Sequence, residues 1–139
     1  AVLFKTDKGA RGVFYVSELC PGHGCDLNFE IDGSKASFRW DQEECEKLWM
    51  GHRDRANYMI TREPNAMTPE ARAYASLAKG HPEGWNDAFK GNIQSFYRYI
   101  QSGMTGEAPF ATIEQAAYVV KLTEAILKSS KERKWIEIK

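Results

Sequence analysis

Leu27-Asn28-Phe29-Glu30-Ile31-Asp32-Gly33-Ser34-Lys35-Ala36-Ser37-Phe38-Arg39-Trp40 alternates apolar and polar residues on both sides of an Asp-Gly pair. Period-two alternation is the mark of a strand with one buried face, and Asp-Gly is a frequent hairpin turn. A two-residue loop at Asp32-Gly33 would pair Phe29 with Ala36 and Leu27 with Phe38. Leu27, Phe29, Ile31, Ala36, Phe38 and Trp40 then share one face, so turn and pattern agree on a hairpin. Strands are expected on either side of it. Val2 to Lys5 precedes a turn at Asp7-Lys8-Gly9, and Gly12 to Leu19 alternates with partly apolar residues on both faces. Leu48 to Gly51 and Asn57 to Arg62 follow, joined by His52-Arg53-Asp54-Arg55. The register between the strands of Trp40 and Trp49 is open.

Helical signals take over after Thr68-Pro69-Glu70, which supplies an N-cap hydroxyl, Pro at the first helical position and an early acid. That helix is expected to be short, to about Ser76. From Trp85 to Gln101, Trp85, Ala88, Phe89, Ile93, Phe96, Tyr97 and Ile100 recur at helical spacing. Thr112 with Gln115 reads as a capping box for a last helix reaching about Lys131, and Trp135 to Ile138 as a final strand. The fold class is therefore α+β: an open, mainly antiparallel β-sheet with helices packed on one face.

Composition bounds the function. The 139 residues suffice for one domain, and 42% hydrophobic with 27% charged residues is ordinary for a globular protein. Nineteen basic and nineteen acidic residues cancel, which gives no basic footprint for nucleic acid or an anionic membrane. Lys128, Lys131, Arg133 and Lys134 complement the dipole at the last helix's end. Three cysteines make no disulfide framework, so a reducing cytoplasm is expected. No apolar run has transmembrane length. The chain opens on Ala1-Val2-Leu3-Phe4 as though inside a strand, and a fragment is expected.

Few motifs carry chemistry. Gly22-His23-Gly24 lacks the third glycine of a dinucleotide fingerprint, with Leu27 in its place. Cys20, His23 and Cys25 crowd one loop, but no second Cys or His pair stands at ligand spacing, so no metal site is expected. Gly80-His81-Pro82-Glu83-Gly84-Trp85-Asn86-Asp87 sets a His, two carboxylates and a Trp at a helix start. Free N–H groups there favour hydroxyl-rich or anionic ligands, and Trp85 offers a flat apolar surface for a sugar ring. Against this stands a purely structural reading, with Glu83 and Asp87 serving the helix dipole, Trp85 the core and His81 a loop cap.

Leu3 to Gly12, Phe29 to Ser37, Gly80 to Trp85 and Ala125 to Ile138, in this order and spacing, resemble the C-terminal domain of the glucose–fructose oxidoreductase and inositol dehydrogenase (Gfo/Idh/MocA) family. The resemblance covers essentially all of residues 1–139 and implies a single substrate and oligomerisation domain. Its expected partners are its own N-terminal Rossmann domain holding NAD or NADP, a sugar-like small molecule, and further copies of itself through the sheet. The reaction implied is hydride transfer between nicotinamide and a sugar or cyclitol carbon. The family's Glu-Lys-Pro lysine and Asp-x-x-x-His motif are absent here, so no catalytic residue and no cofactor-binding residue is assigned to this chain. The resemblance points to His81, Trp85 and His23 as substrate-facing. His23 and Cys25 stand where inositol dehydrogenases present tyrosines. The alternative is a stand-alone, non-catalytic dimerisation module of the same fold.

Overall fold

The computed structural model describes residues 1–138. In chain order the elements are β1 (Val2–Lys5), β2 (Arg11–Phe14), β3 (Asn28–Asp32), β4 (Ala36–Asp41), β5 (Lys47–His52), β6 (Tyr58–Thr61), α1 (Pro69–Arg72), α2 (Trp85–Gln101) and α3 (Ile113–Glu132). They fall into two compact units, one of Gly22–Arg98 and one of Ala1–Pro21 with the chain from Tyr99 onward. The class is α+β, with an open sheet. No helix among the described residues is long and apolar enough to cross a membrane.

In the larger unit β3-β4-β5-β6 form an antiparallel meander. The hairpin is present, but its tip is Ser34-Lys35 rather than Asp32-Gly33: Gly33 N–H donates to the Ala36 carbonyl at 2.9 Å, and Phe29 faces Trp40 instead of Ala36. Asp32 is held inside the ladder opposite Ser37, whose hydroxyl donates to its carboxylate at 2.6 Å. A side-chain bond across the strands thus overrides the local turn preference of Asp-Gly. The displacement is even, so the apolar residues keep their common face.

Two cross-strand rows run the width of that face, Phe29–Trp40–Leu48–Ile60 and Ile31–Phe38–Met50–Tyr58. The Phe29 and Trp40 ring centroids are 5.6 Å apart. The opposite face carries Glu30–Arg39–Trp49–Met59. Trp40 and Trp49 therefore lie on opposite sides. Trp49 lies over Gly51, where an added Cβ would sit 2.3 Å from the indole edge.

In the smaller unit β1 pairs with β2, and Gly12 leaves room for the ring of Phe4 opposite it. The strand expected from Gly12 to Leu19 stops at Phe14. Beyond it the Ser17 hydroxyl accepts from Leu19 N–H at 3.1 Å and from the Cys20 thiol at 3.4 Å, which curls the chain. The expected strand at Trp135 to Ile138 is likewise irregular. Trp135 instead presents its ring to the Lys5 ammonium, 4.8 Å from the centroid. α1 ends at Arg72, short of Ser76. α3 starts as its sequence requires: Thr112 Oγ1 accepts from Gln115 N–H, and the Gln115 side chain accepts from Thr112 N–H.

Among the described residues no large apolar side chain is buried. Ile31 is 60% and Phe29 45% exposed although both sit on the apolar sheet face. Thr112→Ala should remove the side-chain cap on Gln115 N–H while keeping the backbone N–H that donates to the Gln115 side chain. It is expected to cost about 1 kcal/mol and to speed hydrogen exchange in the first turn of α3, measured by mass spectrometry.

Candidate functional site

Glu46 and Arg62 flank the β5–β6 pair, joined by Arg62 N–H donating to the Glu46 carbonyl at 2.9 Å. The Arg62 side chain is only 11% exposed. Its Nε donates to both Glu46 oxygens, at 2.9 and 2.7 Å. Nη1 reaches Glu83 Oε2 at 2.8 Å and the Leu77 carbonyl at 3.3 Å. Nη2 reaches the His81 carbonyl at 2.6 Å and the Ala78 carbonyl at 3.4 Å. One side chain thus joins the sheet edge to the loop that leads into α2. Planar, charge-assisted bonds of this kind need Arg rather than Lys.

Glu83 completes the joint. Its Oε1 accepts from Ser76 N–H at 2.7 Å, Ser76 Oγ at 2.6 Å and Leu77 N–H at 3.1 Å. Its own N–H donates to Glu46 Oε1 at 3.0 Å, and its carbonyl accepts the Cys45 thiol at 3.1 Å. Burial pushes the Glu83 carboxyl up. The bonds from Ser76 and Leu77 and the Arg62 charge outweigh it and hold the carboxyl below its ordinary value. The bond to Glu46, partly offset by burial, raises Arg62.

At the entrance of α2 the Asp87 carboxylate reaches back to Gly84 N–H at 3.1 Å and receives Lys90 Nζ at 2.8 Å. The Lys90 bond, then that of Gly84, holds Asp87 below its usual range. Asp87 therefore caps the helix, as the structural reading expects. Glu83 serves the sheet–loop joint instead, and Trp85 is 60% exposed rather than core, its ring tilted against that of Phe89 with centroids 4.5 Å apart. The His81 side chain is exposed while its backbone is fixed by Arg62 and by donation to the Ala78 carbonyl at 3.2 Å. The entrance thus offers an imidazole, an indole face and the Asn86 amide, its carboxylates being already engaged.

Among the described residues no hydrogen bond or ring contact joins His23, His81 and Trp85 to one another. His23 Nδ1 bonds Asp26 Oδ2 at 2.8 Å, and Asn28 Nδ2 donates to Asp26 Oδ1 at 2.8 Å. The bond from Asn28, then that from His23, lowers Asp26. The carboxylate fixes Nδ1 as the imidazole's inner nitrogen and leaves Nε2 outward on a ring that is 62% exposed.

Cys20, Cys25 and Cys45 are free thiols. Among the described residues no group of three His, Cys, Asp or Glu side chains could hold a metal. Neither the Gly22-His23-Gly24 stretch nor the α2 entrance fits a dinucleotide pyrophosphate. Gly22 and Gly24 lie in the connection between two strands, and the α2 entrance already holds a carboxylate where a pyrophosphate would need free amides. Sequence reasoning missed Arg62 and Glu46. Arg62 is 16 residues from Glu46 and 21 from Glu83, spacings that no local pattern connects.

Residues 1–138 match the family model described as "Oxidoreductase family, C-terminal alpha/beta domain". Among solved structures, an oxidoreductase from Sinorhizobium meliloti superposes with a TM-score of 0.86 at 24% identity, over 96% of this chain and 39% of that one. An inositol dehydrogenase homolog from Azotobacter vinelandii, complexed with NADH and myo-inositol, gives 0.82 at 20% identity, over 94% of this chain and 36% of that one. An oxidoreductase domain protein from Kribbella flavida gives 0.83 at 23% identity, over 99% and 35%. This chain thus spans little more than a third of the length of these proteins. No curated protein matches it.

Because the folded-state value of Glu83 is depressed, its contribution is complete above the unfolded carboxyl range, near pH 4.3. It is lost as pH falls through the lower folded value. Glu83→Gln should cost about 1.5–3 kcal/mol at neutral pH and flatten the acid limb of the stability profile, followed by denaturant titration from pH 7 to 3.

Proposed function

Because this chain belongs to the C-terminal α/β domains of the Gfo/Idh/MocA oxidoreductase family, we propose that it is the substrate-binding and oligomerisation half of an NAD(P)-dependent oxidoreductase. The parent enzyme acts on a hydroxyl or carbonyl of a sugar or cyclitol. The observation that carries this reading is the match of the family over residues 1–138. A relative of the same fold that is complexed with NADH and myo-inositol supports the substrate class. In this reading a Rossmann domain supplies the nicotinamide, and hydride passes between it and the sugar carbon. This domain binds and orients the substrate and excludes water.

His81 and Trp85 are the proposed substrate contacts, with His23 a third. An indole face suits the apolar face of a polyhydroxylated ring, and an imidazole can bond its hydroxyls. With Glu83 and Asp87 engaged internally, the α2 entrance is suited to a neutral ligand. Free thiols are compatible with a reducing compartment, and we place the enzyme in the cytoplasm. A second reading, a non-catalytic dimerisation module, draws on the apolar sheet rows and their exposure. Both readings require that face to be covered.

His81→Ala in the parent enzyme should raise KM for the true substrate about three- to tenfold, the loss of one neutral hydrogen bond, with NAD(P) affinity unchanged. Steady-state kinetics with a panel of sugars and cyclitols, beside cofactor titration, tests it. Unchanged constants would remove His81 from the site.

The sheet should take part in a subunit interface of ~1,000 Å² or more, with at least one of Phe38, Trp40, Trp49 and Tyr58 inside it. Phe38, Trp40 and Tyr58 share one face and Trp49 lies on the other. Arg at each position, read by light scattering, therefore reports which face is used. A strictly monomeric parent at high concentration would refute the interface.

A further inference from the structure

Arg62 holds four groups of the loop before α2: the Leu77, Ala78 and His81 carbonyls and the Glu83 carboxylate. Its other edge is fixed to Glu46 at the sheet. It takes the backbone carbonyl of His81 and leaves that residue's side chain exposed, and Trp85, two residues beyond Glu83, is exposed as well. A loop without regular structure would otherwise sample many arrangements, and ordering each of its residues costs backbone entropy. We infer that Arg62 is a positioning residue for the ligand-facing groups of the α2 entrance, fixing the Leu77–Glu83 backbone so that His81 and Trp85 are presented in one arrangement before the ligand arrives. This rests on the reading that His81 contacts substrate.

The geometry also says what a substitute cannot do. Lysine at this position could neutralise Glu46 and Glu83, but a single ammonium cannot span Glu46, Glu83 and the carbonyls of Ala78 and His81. Charge and positioning are therefore separable. Lys79 provides an internal reporter, since it lies within the clamped loop and is 67% exposed. Its peptide bond to Gly80 is open to trypsin once the backbone is released.

The experiment uses the whole parent enzyme with Arg62→Gln and Arg62→Lys, and Thr112→Ala as a variant destabilised in the other unit. Cleavage after Lys79 should speed up at least tenfold in both Arg62 variants and not in Thr112→Ala. KM for the substrate should rise about tenfold, with kcat changed less and NAD(P) affinity unchanged. Arg62→Lys guards against a Gln variant that does not fold, because it keeps the charge between the two glutamates. Native protection of Lys79 in Arg62→Lys overturns the inference and leaves the assignment of His81 standing if His81→Ala still raises KM. Rapid cleavage with unchanged KM overturns it too, and takes the substrate-facing assignment of the loop with it. Equal KM changes in Thr112→Ala would reduce Arg62 to general stability and likewise overturn the inference.

Discussion

A guanidinium carries five N–H donors in one plane, and at Arg62 all three nitrogens are engaged, by Glu46, Glu83 and the carbonyls of Leu77, Ala78 and His81. The arrangement matters because the segment between β6 and α2 has little regular structure to fix it. It contains one four-residue helix, α1, and a short 3₁₀ turn at Pro64–Ala66. α1 is too short to be stable alone. Tyr74, beyond it, meets the Ser95 hydroxyl at 3.1 Å where Gly91 leaves room for its ring. The rest of the path depends on charge-assisted bonds. Two carboxylates around one cation would repel each other if it were removed. Breaking a pair this shielded leaves an unpaired charge, typically a cost of about 3–5 kcal/mol.

The joint also continues into the sheet. Trp40 donates its indole N–H to the Cys45 carbonyl at 3.2 Å, and the Cys45 thiol donates to the Glu83 carbonyl. Trp40 is thus a member of the apolar row and a neighbour of the α2 approach at once. Whatever covers the Phe29–Trp40–Leu48–Ile60 row bears on the chain that carries Glu83. The exposure of that row has an energetic meaning. Apolar surface removed from water stabilises by roughly 25 cal/mol per Å², and among the described residues no large apolar side chain is fully withdrawn. The hydrogen-bonded ladder and the Arg62 joint define the local arrangement.

Periodicity made the sheet legible. Alternation around Phe29, Ile31, Phe38 and Trp40 requires one apolar face whichever residues form the turn, because any even slip preserves it. The tip itself was misread, because the choice depended on the bond from Ser37 to Asp32 across the strands. Local rules also located the ends of α2 and the cap of α3, where donor and acceptor are three residues apart. They overextended β2, whose continuation is diverted by Ser17, and made a strand of Trp135 to Ile138, where the ring is drawn to Lys5 instead. The candidate residues His81 and Trp85 were found as residue types at a helix start. Their support was not, since an ion pair across the fold leaves no period in the sequence.

The same joint bears on the kind of ligand the α2 entrance suits. A helix start with Glu83 and Asp87 nearby looks acidic in sequence, and acidity there would favour a cationic ligand. In the fold Glu83 is spent on Arg62, Ser76 and Leu77, and Asp87 on Lys90 and the cap. Both stay ionised, held below their ordinary values by those partners, so their charge is balanced locally instead of being offered to solvent. An anion would meet carboxylates at the helix mouth, and a cation would have to compete with Arg62 and Lys90 for them. A neutral ligand rich in hydroxyls does neither. It can use an imidazole, an amide and an indole face, all of them exposed. Specificity at such a site would come from the placement of few groups. That is why the rigidity of the backbone carrying them matters more than their number.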